Sequence, residues 1–150
     1  MIRLVASAAL LLILGLVLYI RTAPDDPARW QVPVAVADAA TPGPCADRVV
    51  PVPKGARATC LLSGTPDQVL ARLDAVAMAA PRTTRLAGSV TEGRITWVQR
   101  SRLMAFPDYI TAEVAAAPEG TRLDVVSRQR YGSSDLGVNA ARLRDWLARL

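Results

Sequence analysis

One apolar run near the start of the chain constrains its fold more than any other feature. From Leu4 to Ile20 the sequence is apolar apart from one serine, and arginines flank the run at positions 3 and 21. A helix needs about 17–25 such residues to cross the hydrocarbon core of a bilayer, so this run reaches the lower limit. We therefore predict a transmembrane anchor over residues 1–21 that contacts membrane lipid through Leu4 to Ile20.

A cleaved signal peptide is the alternative interpretation of the same run. Such a peptide carries an apolar region of about 7–15 residues followed by a small-x-small cleavage site. Here the run is longer, and it ends in the bulky residues Leu18, Tyr19 and Ile20. The sequence therefore favours an uncleaved anchor in the bacterial cytoplasmic membrane.

The arginines on the two sides of the run are nearly balanced, so they do not predict on which side of the membrane the domain lies. The two cysteines give the better indication. Cys45 and Cys60 form an isolated pair with no metal or redox motif, which is typical of a disulfide in an oxidising compartment. The alternative is two reduced, buried thiols in a cytoplasmic domain. We predict a Cys45–Cys60 disulfide and a periplasmic domain.

Composition excludes several classes of activity. The chain has no histidine, and Lys54 is its only lysine, so histidine catalysis and histidine metal ligation are ruled out. No glycine-rich phosphate loop and no metal-ligand spacing occur. The chain has a net charge of +5, but its basic residues form no block and it has few aromatic residues. This argues against nucleic-acid binding and is compatible with attraction to anionic lipid headgroups. We expect no enzyme, no cofactor and no bound metal.

The remaining pattern predicts a proline-rich spacer over residues 22–53 and an α+β domain over residues 54–150. Asp25 and Asp26, in the spacer, are interpreted as solubilising charges, and Trp30 as a side chain that anchors the spacer on the domain. A capping Thr65 followed by Pro66 and Gln68 predicts the start of a helix that runs to about residue 80. The predicted strands cover residues 56–63, 85–90, 94–103, 109–116 and 121–131, and a last helix runs from 134 or 135 to the end.

Short connections between these strands predict an antiparallel meander, because parallel crossovers need longer connections. The predicted architecture is thus an N-terminal transmembrane helix followed by an antiparallel sheet of about 4–5 strands with two helices packed on one face. Alternation on the long strands gives an apolar face that turns polar at one end, through Gln99, Ser101, Ser127 and Gln129.

The opposite face of two strands carries four arginines, Arg100 and Arg102 on one strand and Arg128 and Arg130 on the other. Like charges in register destabilise a sheet unless anions neutralise them. Three interpretations stay open: internal pairing with Glu113, Asp108, Asp124 or Asp135, an external phosphate or carboxylate, or a different strand register. The candidate partner- or anion-binding residues are these four arginines with the neighbouring aromatic residues Phe106 and Tyr109.

Several segments resemble the bacterial domain-of-unknown-function family 1499: DPARW at 26–30, RSRL at 100–103 with FPDY at 106–109, SRQRYGSSDLGVN at 127–139, and RDWL at 144–147. The resemblance covers most of the chain after the predicted anchor. It implies a small, often membrane-anchored protein with no assigned catalytic residues. We expect a non-catalytic accessory or interaction protein with a membrane-protein partner, such as a supernumerary subunit of a larger membrane complex. The alternative is a binding module for an anionic small molecule or lipid headgroup.

Overall fold

A computed structural model describes residues 1–34 and 40–150 of the chain. It has four α-helices, namely α1 (Ile2–Thr22), α2 (Pro27–Trp30), α3 (Pro66–Ala79) and α4 (Val138–Leu147), and a 3-10 helix at Cys45–Arg48. Its strands are β1 (Val50–Val52), β2 (Gly55–Leu62), β3 (Thr83–Ser89), β4 (Arg94–Arg100), β5 (Pro107–Ala117) and β6 (Gly120–Gln129). The elements from β2 to α4 follow the predicted order.

The six strands form one antiparallel sheet in the order β1-β2-β6-β5-β4-β3. Strands β3 to β6 form the predicted meander, and α3 carries the chain from β2 across the sheet to its far edge at β3. The predicted fold class is confirmed, with a strand count slightly above the expected 4–5 because β1 adds a short edge strand. This β1 and the 3-10 helix lie within the range predicted to be a spacer.

Helices α3 and α4 cover one face of the sheet and enclose the main core. Trp97 from β4 and Trp146 from α4 meet there edge to face, with ring centroids 6.0 Å apart. Of the inward strand residues that alternation predicts, Val114 is partly buried against the core and the others are fully buried: Ile95, Trp97, Ile110, Ala112, Leu123 and Val125. Sheet alternation therefore determines which side chains reach the helices.

Helix α3 begins as its sequence predicts. The Thr65 hydroxyl accepts a hydrogen bond from the Gln68 amide, and the Gln68 side chain accepts one from the Thr65 amide, at 3.3 and 3.1 Å. This reciprocal capping box satisfies two amides that have no partner inside the helix. The helix buries Val69, Leu70 and Leu73 against the sheet.

The last helix begins later than predicted, at Val138 rather than at residue 134 or 135. Leu136 and Gly137 both adopt positive φ, 52° and 81°, so the chain makes a left-handed turn before the helix. The predicted helix start places Leu136 inside the helix, on its apolar face, and this is wrong, because the turn leaves Leu136 91% exposed. The stripe itself is buried through Leu143, Trp146 and Leu147.

Helix α1 is long and apolar enough to cross a membrane, with a mean hydropathy of 2.4 in its most apolar window, and an N-terminal signal sequence would meet the same criterion. Its side chains are exposed except near its C-terminal end, where Val17 is half-buried and Ile20 is buried, and Ala23, just after the helix, is buried as well. The helix therefore stands away from the domain and joins it only at its last turn.

Candidate functional site

Three of the four predicted arginines gather on the sheet face opposite α3 and α4. Strand β5 lies between β4 and β6. Arg128 on β6 lies opposite Tyr109, Arg100 on β4 lies opposite Pro107, two residues from Tyr109 on the same face, and Arg130 follows the end of β6. Arg102 is not with them, because β4 ends at Arg100 and the exposed Arg102 lies in the following turn. We call Arg100, Arg128 and Arg130 the arginine face.

The chain itself covers the arginine face with the residues that follow α1. Residues 23–34, here called the docked segment, cross this side of the sheet. One Asp25 oxygen forms an ion pair with Arg100 at 2.6 Å, and the other accepts a hydrogen bond from the Tyr109 hydroxyl at 2.5 Å. Arg130 donates to the Pro24 carbonyl at 2.8 Å and to the Tyr109 hydroxyl at 3.2 Å. Two of the arginines are therefore held by groups of this segment.

Trp30 holds the far part of the docked segment, as the sequence predicts. Its ring stacks on Tyr109 with centroids 3.8 Å apart and planes 6° apart, and the residue is only 7% exposed. Arg128 lies 5.5 Å from the centre of the same ring and donates to the Trp30 carbonyl at 2.9 Å. Stacking, cation–π attraction and a hydrogen bond thus act together at one residue.

Polar contacts extend the docking beyond Trp30. The Thr96 hydroxyl donates to the Gln31 side chain, and the Val34 amide donates to Glu113 at 2.9 Å. Glu113 is also paired with Arg94 at 2.7 Å, and this hydrogen bond lowers the pKa of the Glu113 carboxyl. The docked segment is fixed at both of its ends.

The docked segment shields the arginine face from solvent and so changes the pKa values of its side chains. Burial, together with the hydrogen bond to Asp25, raises the pKa of Tyr109 to about 12. Burial also lowers the pKa of Arg128. Guanidinium groups that are partly desolvated and already bonded to a carboxylate or to carbonyls have little capacity left for an external anion.

The carboxylates expected to neutralise these arginines lie elsewhere. Glu113 pairs with Arg94, and Asp124 accepts from Arg122 at 2.7 Å. Asp135 accepts from the amides of Gly137 and Asn139, at the start of α4. Internal pairing is thus the interpretation that the geometry favours, but through Asp25, which the sequence had suggested only as a solubilising charge. The one local signal for this docking is Trp30, a large aromatic side chain in a proline-rich stretch.

A cleft of about 280 Å³ lies at the end of the sheet, between the β4–β5 and β6–α4 connections. Phe106 belongs to this cleft and not to the arginine face, and its ring lies 6.1 Å from that of Tyr131. The predicted polar end of the sheet contributes Ser101 and Gln129. The full lining is Ser101, Phe106, Asp108, Gln129, Tyr131, Gly132, Ser134, Asp135, Leu136 and Val138.

A buried ion pair supports the floor of the cleft. Arg142, whose side chain is 8% exposed, pairs with Asp108 at 2.8 Å. It also donates to Asn139 at 2.6 Å and to Ser127 at 3.0 Å. Burial raises the pKa of Asp108 despite the opposing effect of Arg142. Sequence reasoning missed Arg142, because it lies in the middle of a helix and no local pattern marks it as buried.

The two cysteines meet where the chain enters the sheet. Cys45 in the 3-10 helix and Cys60 in β2 are joined by a disulfide, with Cα atoms 5.5 Å apart. Both residues are buried in the main core. The bridge ties the segment before β1 to a central strand.

Among residues 1–34 and 40–150 we find no cluster of three or more histidine, cysteine or acidic side chains that is arranged to hold a metal ion. Neither the curated proteins nor the solved structures that we compared with the chain gave a match. A family model described as "Protein of unknown function (DUF1499)" matches residues 20–150.

Proposed function

The chain belongs to the DUF1499 family, and from that premise we propose that it is a non-catalytic, single-pass protein of the bacterial cytoplasmic membrane. In this proposal α1 is retained as the anchor, and the folded domain serves as an accessory or interaction subunit of a larger membrane complex. The observation that carries the proposal is the docked segment, which joins the anchor rigidly to the sheet.

Rigid attachment fixes the orientation of the domain relative to the membrane. Helix α1 ends at Thr22, and the first contact with the arginine face is made by Pro24, two residues later. A linker this short, followed by a packed tryptophan, leaves the domain little freedom to rotate about its anchor. A subunit that binds a neighbouring membrane protein benefits from this, because the ordering entropy is lost on folding and not again on binding.

The disulfide supports a periplasmic location for the domain. Disulfides persist in oxidising compartments and are rare in the bacterial cytoplasm. Cys45 and Cys60 are both buried, so reduction would have to act on a protected bond. We therefore propose that the domain lies on the periplasmic side.

Among the residues predicted to bind a partner, only those that remain exposed can contact one. Arg100, Arg128 and Tyr109 are engaged within the chain, whereas Arg102 is exposed and Phe106 is 37% exposed. We propose that Arg102 and Phe106 contact the membrane-protein partner. An exposed guanidinium beside a half-exposed aromatic ring matches the residue types that dominate binding energy in interfaces.

Purification of the tagged full-length chain from native membranes in mild detergent, followed by mass spectrometry and sizing, tests this proposal. We expect a fixed set of membrane proteins to co-purify in stoichiometric amounts. The variants Arg102→Ala and Phe106→Ala should lose these proteins. The matched controls Arg149→Ala and Met78→Ala, both at exposed positions elsewhere, should keep them, since the Arg149 ion pair is a weak surface pair.

Two results would contradict the proposal. A monomer without partners would refute the role as a subunit. Co-purification that is unchanged in both Arg102→Ala and Phe106→Ala would refute the assignment of these two residues, while leaving the partner itself established.

The alternative, a binding module for an anionic small molecule or lipid headgroup, has one observation in its favour. Tyr131 lines the cleft, and its hydroxyl is buried and has no hydrogen-bond partner in the described part of the chain. Against it, the described residues that line the cleft include no arginine or lysine that could bind an anion. A thermal shift of the purified protein with inorganic phosphate or glycerol phosphate, lost in Tyr131→Phe, would favour this alternative over the subunit role.

A further inference from the structure

We propose that two loops at one end of the sheet lie in the headgroup layer of the same bilayer that holds α1. The loops are residues 101–106 and 132–137, and the side chains that enter the lipid are Leu103 and Leu136, which we call the apolar tip. This inference rests on the anchored state proposed above, and it specifies the depth and the lipid contacts of the domain.

The first loop is placed at the membrane by the end of the anchor. Arg21 follows Ile20, the last residue of the apolar run, and donates a hydrogen bond to the Leu103 carbonyl at 3.1 Å. A residue at that position of a spanning helix lies where hydrocarbon gives way to headgroups. Leu103 is therefore at headgroup depth whenever α1 crosses a bilayer.

Both leucines are unfavourable on a surface that meets only water. Leu103 is 78% exposed and Leu136 is 91% exposed, the highest values among the large apolar side chains that the structure describes after α1. Leu136 also has a φ of 52°, a left-handed conformation that branched side chains rarely adopt. A costly conformation that exposes a leucine is a reason to look for a function at that position.

Hydrogen bonds hold the second loop in this arrangement. The Leu136 amide donates to the Ser134 hydroxyl, and the Gly137 amide donates to the Asp135 carboxylate, both at 3.2 Å. The turn is thus fixed by its own side chains, with the leucine pointing away from the domain. Its exposure is a property of the fold.

The two loops belong to one surface. Phe106 and Leu136 line the same cleft of about 280 Å³, and the Phe106 ring packs near Tyr131 at the base of the second loop. Leu136 consequently lies on the side of the domain where Leu103 meets the anchor. The proposed partner residues Arg102 and Phe106 adjoin the leucines, at the depth where a neighbouring membrane protein would be met.

The charges of this surface fit a membrane better than they fit a soluble partner. Arg21 and Arg102 are exposed beside Leu103, and basic residues next to apolar ones are typical of segments that lie in the interface of anionic membranes. The carboxylates nearest to the tip are engaged within the domain: Asp108 pairs with Arg142, and Asp135 accepts hydrogen bonds from the Gly137 and Asn139 amides. Their negative charges are therefore partly neutralised by the domain itself.

Fluorescence of the full-length chain in vesicles tests the proposal. Single cysteines introduced by Leu103→Cys, Leu136→Cys and, as the control, Met78→Cys on α3 are labelled with an environment-sensitive dye. The native cysteines are paired in the disulfide and leave one reactive thiol in each variant. The labelled chains are reconstituted into vesicles of equimolar phosphatidylcholine and phosphatidylglycerol, with and without lipids that carry a quencher near the headgroup end of the acyl chain.

We expect blue-shifted emission from the dye at positions 103 and 136, and a loss of that emission with the quencher lipids. The dye at position 78 should emit as in water. Emission at 103 and 136 that matches position 78 would overturn the proposal. A blue shift without quenching would also overturn it, because the tip would then be covered by protein, such as a second copy. Each variant is first shown by carbonate extraction to be embedded in the vesicle, so a failed anchor is distinguished from a failed lipid contact.

Discussion

Asp25 and Asp26 are adjacent acidic residues to which the structure gives different functions, so one substitution made at each position tests the docked segment. Asp25→Asn removes the charge that pairs with Arg100 at 2.6 Å and accepts from Tyr109 at 2.5 Å. Asp26→Asn removes the same charge from a side chain that caps α2 through the Ala28 amide at 2.9 Å. The two variants have equal net charge and differ only in position.

The expected losses of stability follow from these contacts. A hydrogen bond to a charged group contributes about 1.5–3 kcal/mol, and an asparagine can keep only part of the two that Asp25 makes. Arg100 and Asp25 are partly exposed, 25% and 20%, which moderates the effect. We expect Asp25→Asn to lower the free energy of unfolding by about 2 kcal/mol, roughly thirty-fold in the unfolding equilibrium. Asp26→Asn should cost under about 0.5 kcal/mol, because asparagine caps helices about as well as aspartate.

Urea denaturation of the full-length chain in detergent micelles, followed by tryptophan fluorescence, measures both variants. A double-mutant cycle with Tyr109→Phe then isolates the contact between Asp25 and the tyrosine hydroxyl, with an expected coupling of about 1 kcal/mol. Equal denaturation midpoints for the two asparagine variants would refute the docking of residues 23–34 on the arginine face.

Three further predictions concern groups inside the domain. The Tyr109 phenol should titrate near pH 12, as measured by the difference between absorbance titrations of the wild type and Tyr109→Phe. Its raised pKa stabilises the fold below pH 10, and this contribution is lost as the pH rises toward 12. A titration midpoint near pH 10 would contradict the buried, hydrogen-bonded position of this hydroxyl. Cys60→Ser should lower the free energy of unfolding by about 3 kcal/mol, because the bridge to Cys45 closes a loop with a sequence separation of 15; an unchanged denaturation midpoint would exclude the bridge. Arg142→Met should lower the free energy of unfolding by about 3–5 kcal/mol at pH 7, because it leaves Asp108 buried and charged. The loss should be smaller at pH 4, since burial raises the Asp108 pKa and protonation then removes that charge. An equal loss of stability at both pH values would contradict this.

Local chemistry made much of the fold predictable. Thr65 and Gln68 mark the start of α3 because a capping box depends only on residues three apart. The buried faces of β4, β5 and β6 follow from period-two alternation, which holds wherever one side of a sheet is covered. The meander follows from short connections. None of these features requires knowledge of distant residues.

The ends of the helices and strands were harder to predict, because the sequence pattern does not show where the backbone turns. Arg102 was assigned to a strand that ends at Arg100, and Leu136 to a helix that begins at Val138. In both cases the apolar and polar pattern continues past the point where the backbone turns. Leu136 turns with a positive φ, which a leucine in the sequence does not announce.

The candidate site was the least predictable part, because it depends on contacts between residues far apart in the chain. Asp25 reaches Arg100 and Tyr109 across more than 70 positions. The sequence shows four arginines that need anions, but not which carboxylate supplies the charge. Trp30 was the one residue of the docked segment whose type indicated burial.

The state of α1 in the cell is the most direct test of this account, since both proposals require the anchor. Membranes are washed with alkaline carbonate, and the intact mass of the chain that remains in the pellet is measured. We predict a membrane-retained chain whose mass includes Ile2–Thr22. A chain cleaved after the apolar run and released into the soluble periplasmic fraction would contradict it.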